Sequence, residues 1–79
     1  MPHSAKEQSL AKRLSRYLKA ELKRADVTYE DLANMLEKLG VEENKASIAN
    51  KLSRGTFPAT FFIAVALVLR LEAINLKNL

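Results

Sequence analysis

The sequence contains no cysteine, and among its 79 residues it has only two glycines, two prolines and one histidine. Without cysteine the chain can form neither a disulfide bond nor a thiolate metal site, a composition that fits a reducing cytoplasm. Strand-like alternation and hairpin dipeptides are also absent, as is any glycine-rich phosphate loop. We therefore expect an all-helical cytoplasmic protein in which short turns join the helices.

Few residues are suited to catalysis or to holding a cofactor. The one histidine, His3, lies in residues 1–5, which we expect to be a frayed N-terminus, so it offers neither an acid–base group nor a metal ligand. Adjacent carboxylates occur at 30–31 and 42–43, but neighbouring side chains on a helix point in different directions. The sequence therefore predicts that the protein is not an enzyme and binds no cofactor or metal.

The most hydrophobic stretch, residues 61–69, is nine residues long, whereas a membrane-spanning helix needs about 20. The N-terminal residues also lack the apolar run of a signal peptide, so we expect no membrane association. A helix that is apolar on all sides is buried or forms an interface, and a domain this small can hardly surround it. We expect it to contact a second copy of the chain or a partner protein through Phe61, Val65, Val68 and Leu71.

Charges of opposite sign separate into segments along the chain. Residues 1–24 carry seven basic and two acidic side chains, a net charge of +5. Residues 26–43 carry one basic and six acidic side chains, a net charge of −5, and residues 44–58 carry three basic side chains and no acidic one. The first and third segments are therefore candidates for binding an anionic partner.

A leucine at every fourth position from residue 10 to residue 22 predicts a first helix over residues 5–25. Tyr17 and Ala25 widen this stripe into a buried face. The opposite face carries four basic side chains, Lys12, Arg16, Lys19 and Lys23. They form either an ordinary solvated face or a surface that contacts phosphates or anionic lipid.

Three further helices are marked by capping residues. Thr28 and Asp31 have the spacing of a capping box, in which each side chain bonds to the main chain of the other residue. The second helix is predicted to begin at Thr28 and end at Gly40, the third to run from Asn44 to Arg54 with Gly55 closing it, and the fourth to begin near Pro58. Residues 72–79 either extend the fourth helix or form a short fifth one, so the single domain of residues 1–79 has four or five helices.

The order of these signals resembles the lambda-repressor-like, Cro-type helix-turn-helix family. The residues that carry the resemblance are Val27-Thr28, Leu32-Ala33, Gly40-Val41, Ile48, Gly55, Pro58 and the stretch AVAL at 64–67. The pattern is stretched, because six residues separate Ala33 from Gly40 where the family usually has fewer, and Tyr29 stands where the family usually has glutamine. A closer resemblance is to an uncharacterised family of small bacterial domains with an elongated second helix.

The resemblance implies an all-α, lambda-repressor-like fold with a helix-turn-helix core at residues 26–55. In such a core the helix that begins at the threonine crosses the DNA backbone, and the next helix reads the major groove. The expected function is that of a small bacterial transcriptional regulator that binds double-stranded DNA as a homodimer. The candidate DNA contacts are Asn44, Lys45, Ser47, Asn50, Lys51 and Arg54. Asn50 suits a bidentate contact with adenine, whereas Lys51 and Arg54 suit guanine or phosphate.

The alternative is a helical module for protein interaction or homodimerisation, built on the same scaffold without DNA binding. Its distinguishing feature is the apolar surface of residues 61–71. DNA binding depends instead on the basic, acid-free segment at residues 44–58. The sequence leaves both functions open.

Overall fold

A computed structural model describes residues 5–79, which form four α-helices, one short 3₁₀ helix and no β-strand within that range. The helices are α1 (Ala5–Arg24), α2 (Tyr29–Leu39), α3 (Lys45–Arg54) and α4 (Ala59–Val68), and the 3₁₀ helix is Leu76–Asn78. The predicted all-helical fold is confirmed, with four α-helices. The predicted frayed terminus and His3 lie outside the described residues, except for Ala5, with which α1 begins.

The boundaries of α2 follow from capping interactions that are local in the sequence. Thr28 Oγ1 accepts a hydrogen bond from the N–H of Asp31 at 3.0 Å, and Asp31 Oδ2 accepts one from the N–H of Thr28 at 3.1 Å. This reciprocal capping box confirms the predicted start of the helix. Gly40 ends α2 in the left-handed conformation, with a φ of +93°, which glycine adopts at little cost.

A single hydrophobic cluster draws residues from all four helices. α2 packs against both α3 and α4, and α1 packs against α3. The buried members of the cluster are Leu18, Leu22, Leu32, Leu36, Ile48, Leu52, Phe61, Ala64 and Val65. Helix α3 is therefore held from two sides, by α1 and by α2.

α1 and α3 approach each other closely near the end of α3. Gly55 is buried, and a Cβ added to it would stand 2.3 Å from the main-chain oxygen of Ala11. The hydroxyl of Ser15, which is also buried, donates a hydrogen bond to the main-chain oxygen of Leu52. Because a buried polar group needs a partner, this bond ties the middle of α1 to the last turn of α3.

The leucine stripe of α1 is buried only over its second half. Leu18 and Leu22 lie in the core, Leu14 is half-buried, and Leu10 is exposed, as is Ala25 just beyond the helix. α1 has 20 residues and α3 has 10, so at about 1.5 Å per residue the first turns of α1 extend past the helix on which they pack. The predicted burial of Leu10 is wrong for this reason, and Ala25 is exposed because it follows the end of α1.

α4 packs against α2 along one side, and this packing corrects the predicted interface. Phe61 and Val65 are 4% and 1% exposed and lie in the core, so neither is available to a second molecule. The other two predicted interface residues, Val68 and Leu71, are half-buried. The exposed large apolar side chains of α4 are instead Ile63 and Leu67. The correction has a simple cause: a helix that is apolar on every side gives no sign of which side faces the core.

The chain turns away at the end of α4. Arg70 has a left-handed conformation, with a φ of +59°, and the N–H of Leu71 donates to the main-chain oxygen of Ala66, as in a Schellman C-cap. The guanidinium of Arg13 donates a hydrogen bond to the main-chain oxygen of Leu79. Residues 72–79 therefore do not extend α4, and the 3₁₀ helix contains their only helical residues.

Candidate nucleic-acid interface

α3 turns one side to the core and the other side to solvent. Ile48 and Leu52 are buried, whereas Asn50 and Arg54, each two residues further along the chain, are exposed. Lys45, the first residue of the helix, is also exposed. No acidic residue lies on α3. The outward face of α3, defined as Asn50 and Arg54, therefore offers one amide and one cation, and Lys45 adds a second cation at the N-terminal end of the helix.

Asn44 and Ser47 cap the start of α3. Asn44 Oδ1 accepts a hydrogen bond from the N–H of Ser47 at 2.8 Å, and Ser47 Oγ accepts one from the N–H of Asn44 at 2.9 Å. The Ser47 hydroxyl also lies 2.7 Å from Oε1 of Glu43 and 3.0 Å from the main-chain oxygen of Asn44, the acceptors for its single proton. The predicted DNA contact by Ser47 therefore competes with its capping role, and only the amide NH₂ of Asn44 remains for a ligand.

Lys51 is paired inside the protein. Its ammonium lies 2.8 Å and 2.6 Å from the two carboxylate oxygens of Glu43, and 5.2 Å from the ring centroid of Phe61 in α4. The side chain of Lys51 is 22% exposed and that of Glu43 is 9% exposed. This pair joins the loop before α3 to the last turn of α3, beside α4. The DNA contact predicted for Lys51 stays a prediction, and such a contact would compete with Glu43, which already compensates the charge of Lys51.

The groups around Glu43 lower the pKa of its carboxyl. Burial alone would raise that pKa, but hydrogen bonds from Lys51 and Ser47 and the positive charge of Lys51 together outweigh burial, so the net shift is downward. The Glu43 carboxylate is therefore charged at neutral pH. As a result, Lys45 and Arg54 are the uncompensated cations of the third charge segment.

A basic groove between α1 and α3 adds further cations beside the outward face of α3. The groove has a volume of about 260 Å³ and is lined by Lys12, Ser15, Arg16, Lys19 and Ser53. None of these lining residues is acidic, and Lys12, Arg16 and Lys19 are exposed. In the sequence the α1 cations are compatible with either solvation or binding, and no pattern marks Ser53. These residues form one groove only because α1 packs on α3, and that packing cannot be read from the sequence.

The N-terminus of α2 is poorly suited to a phosphate. Glu30 and Asp31 are exposed acids in its first turn, and the Asp31 carboxylate already accepts the N–H of Thr28. Helix N-termini attract anions through free N–H groups and the helix dipole, but here the protein supplies the negative charge itself. A DNA backbone that approaches this end of α2 is therefore repelled.

Other kinds of site have less support within residues 5–79. No group of acidic or histidine side chains there is placed to hold a metal ion. A groove of about 450 Å³ is lined by three arginines, but Arg13 bonds to the main chain of Leu79 and Arg24 pairs with Glu21. No helix in this range is by itself long and apolar enough to cross a membrane, and the α3–α4 pair that reaches the required length and hydropathy together is bent by 117°.

The sequence matches a known family over most of its length. Residues 8–74, from the first turn of α1 to beyond the end of α4, match a domain of unknown function (DUF6471). The matched part includes the outward face of α3 and the basic groove. No curated protein and no solved structure matches the chain. Because the family match covers well over half of the 79 residues, the chain belongs to the DUF6471 family.

Proposed function

We propose that the chain binds double-stranded DNA through the outward face of α3, which enters the major groove. The observation that carries the proposal is the arrangement of α3: Ile48 and Leu52 hold it to the core, while Asn50 and Arg54 face solvent on a helix without acids. A helix with its side chains is about 10–12 Å across, and the major groove is about 12 Å wide. The size and charge of α3 therefore suit a groove-reading helix.

The exposed residues of α3 suit different contacts. The amide of Asn50 can bond to both N6 and N7 of adenine, and the guanidinium of Arg54 to O6 and N7 of guanine or to a phosphate. Lys45 suits a phosphate. The order of α2, loop and α3 is also that of the lambda-repressor-like family that the sequence resembles. It supports a role as a small bacterial transcriptional regulator that binds DNA in the cytoplasm as a homodimer.

The test is the fluorescence anisotropy of a labelled mixed-sequence duplex, titrated with the protein at about 50 and 200 mM salt. We expect micromolar binding at the lower salt concentration and steep weakening at the higher one, because phosphate contacts release counterions. Arg54→Ala should weaken binding to every duplex and lower the salt slope by about 1. Asn50→Ala should spare mixed-sequence binding but cost about 1–3 kcal/mol on a duplex selected for tight binding.

Lys38→Ala is the matched control, because Lys38 is an exposed cation on a different helix, α2. It should leave the affinity and its salt slope unchanged. Lys51→Ala is unsuitable as a test, since it breaks the ion pair with Glu43 and so weakens the fold itself. The absence of any duplex binding at about 50 mM salt would overturn the proposal, because even sequence-independent DNA binding is strong there.

A second candidate function, a protein-interaction or homodimerisation module, is favoured by the exposed apolar residues of α4. Ile63 and Leu67 are 54% and 60% exposed. They are four residues apart and therefore lie on the same face of the helix. α4 carries no charged residue. Contiguous exposed apolar surface of this kind marks a contact with another protein, and the same face can also join two DNA-binding chains.

Substituting Ile63 and Leu67 together with glutamate tests this second function. If the face joins two copies, the wild-type protein sediments as a dimer at high concentration and the double variant as a monomer. The two proteins should have the same helical content, because both side chains are exposed. Leu39→Glu, on the exposed part of α2, is the control and should leave the dimer intact. A wild-type protein that is monomeric at its highest soluble concentration would count against homodimerisation.

A further inference from the structure

We infer that the basic flank of α1, defined as Lys12, Arg16 and Lys19, binds the phosphate backbone of the same duplex that α3 enters. The inference rests on the proposed DNA binding and identifies where that interface holds the backbone. It places the backbone contact on α1 and not on the N-terminus of α2, where the helix-turn-helix resemblance would put it.

The basic flank is continuous with the outward side of α3. Its three side chains share a groove with Ser53, which follows Asn50 by three residues and therefore lies on the same side of α3. The close approach of Gly55 to Ala11 and the hydrogen bond from Ser15 to Leu52 hold the two helices together at this groove. A duplex seated on the outward face of α3 therefore meets the basic flank at the same time.

The three cations of the basic flank have no carboxylate partner in the described part of the chain. The ion pairs found there join Arg24 to Glu21 and Lys51 to Glu43, and neither pair involves the flank. The groove that all three cations share has no acidic side chain, whereas Arg16 also lines a groove with Glu21 and Lys19 one with Asp26. Uncompensated cations of this kind attract phosphates and displace the counterions condensed on DNA.

The three cations of the basic flank lie on one side of α1. Lys12, Arg16 and Lys19 are separated by four and three residues, the spacing of neighbours on a helix face. Lys12 and Lys19 are about 10 Å apart along the helix, so the flank can contact more than one phosphate of the same strand.

The acids of α2 make the N-terminus of that helix the wrong place for the backbone. Glu30 and Asp31 are exposed there, and Asp31 satisfies the N–H of Thr28 that a phosphate would otherwise bond. Like charges repel a backbone at this end of α2, while the flank attracts it on α1.

The test compares two triple variants that each lose three positive charges. One removes the flank, Lys12→Gln, Arg16→Gln and Lys19→Gln, and the control removes three exposed cations elsewhere, Lys38→Gln, Arg70→Gln and Lys77→Gln. Duplex affinity is measured by anisotropy across a salt series, and circular dichroism melting confirms that both variants are folded. Because the two variants have equal net charge, any difference in their duplex affinity or salt slope is due to where the removed cations lie.

We expect the flank variant to lower the slope of log affinity against log salt by about 2.7, since each phosphate that is no longer neutralised accounts for about 0.9. Between about 50 and 200 mM salt its affinity should then fall about 40-fold less than that of the wild type. The control should keep the wild-type slope. The flank variant should be weakened equally on selected and mixed-sequence duplexes, because phosphate contacts carry no sequence information.

The outcomes separate this inference from the proposed function. Equal slopes for the two triple variants would overturn the inference, as would an unchanged slope in the flank variant while Arg54→Ala still weakens binding, a result that leaves the role of α3 standing. If the flank variant binds more weakly while Asn50→Ala and Arg54→Ala bind as the wild type does, the result would support backbone binding by the flank and overturn the role of α3. Flank-dependent binding to phosphatidylserine vesicles that exceeds duplex binding at the same salt would overturn the inference in favour of a membrane surface.

Discussion

Gly55→Ala is expected to destabilise the domain by roughly 2–5 kcal/mol, well beyond the effect of Gly40→Ala. Both glycines have a left-handed backbone, with φ values of +72° and +93°, so an alanine costs about 1–2 kcal/mol at either position. Only at Gly55 does the new Cβ meet another helix. It would stand 2.3 Å from the main-chain oxygen of Ala11 and 2.7 Å from its carbonyl carbon, whereas nothing lies within 4 Å at Gly40.

The approach at Gly55 is costly to disturb because the main chain of α1 cannot rotate away as a side chain can. The clash between the new Cβ and the main chain of Ala11 is relieved only if α1 moves away from α3. Overpacking of this kind lowers the stability by about 1–3 kcal/mol more. A domain of 79 residues has a total stability of about 4–12 kcal/mol. The substitution at Gly55 therefore removes a large part of the stability, and the substitution at Gly40 a small part.

Urea denaturation followed by circular dichroism measures the difference between the two sites. Asparagine at each position separates the cost of the left-handed backbone from the cost of the contact between the new Cβ and α1. Asparagine tolerates the left-handed conformation but still carries a Cβ. Gly40→Asn should be close to the wild type, whereas Gly55→Asn should remain strongly destabilised. Equal midpoints for the two alanine variants would contradict the close approach of α1 to α3.

Glu43→Gln is expected to lower the free energy of unfolding by about 1–3 kcal/mol at neutral pH, the range for removing a charged hydrogen-bond partner. Glu43 and Lys51 are largely buried, with hydrogen-bond distances of 2.6 Å and 2.8 Å between them. The substitution leaves the Lys51 ammonium partly buried without its counter-charge. Thermal and urea unfolding at pH 7 provide the measurement.

The pH dependence of this effect follows from the lowered pKa of Glu43. Because the folded-state pKa lies below the ordinary value of a glutamate carboxyl, the ion pair stabilises the fold fully above that ordinary value. Its contribution is lost as the pH falls through the folded-state pKa. The stability difference between the wild type and Glu43→Gln should therefore shrink as the pH is lowered below about 4.

Glu42→Gln is the matched control for this experiment, because Glu42 is the exposed neighbour of Glu43. It should change the stability by less than about 0.5 kcal/mol, as surface substitutions usually do, and show no comparable pH dependence. A Glu43→Gln variant as stable as Glu42→Gln at pH 7 would show that the pair with Lys51 does not hold α3 in place.

Most helix boundaries could be predicted because capping interactions are local. Thr28 and Asp31 are three residues apart, and Gly40 and Gly55 directly follow the helices that they end. Asn44 and Ser47 have the same three-residue spacing, although the sequence pattern also predicts both as DNA contacts. Their capping role was therefore visible in the spacing, and the basic character of the segment favoured the other interpretation.

Two features of the candidate site could not be predicted, because their partners are distant in the chain. Lys51 and Glu43 are eight residues apart and separated by a helix start, beyond the three- or four-residue spacing of neighbours on a helix. The basic flank and Ser53 lie on helices that meet only after the core has formed. In the sequence each of these cations looks equally solvated, and the fold distinguishes the compensated one from the others.

The sequence by itself determined that the chain is all-helical, where α2 and α3 begin and end, and that basic residues concentrate on α1 and α3. These properties depend on composition and on interactions within one helical turn. Only the tertiary structure decided that Glu43 compensates Lys51 and that Phe61 and Val65 are buried while Ile63 and Leu67 are exposed. A helix that is apolar on every side has no periodicity to mark its buried face, so contact between elements that are distant in the chain makes that choice.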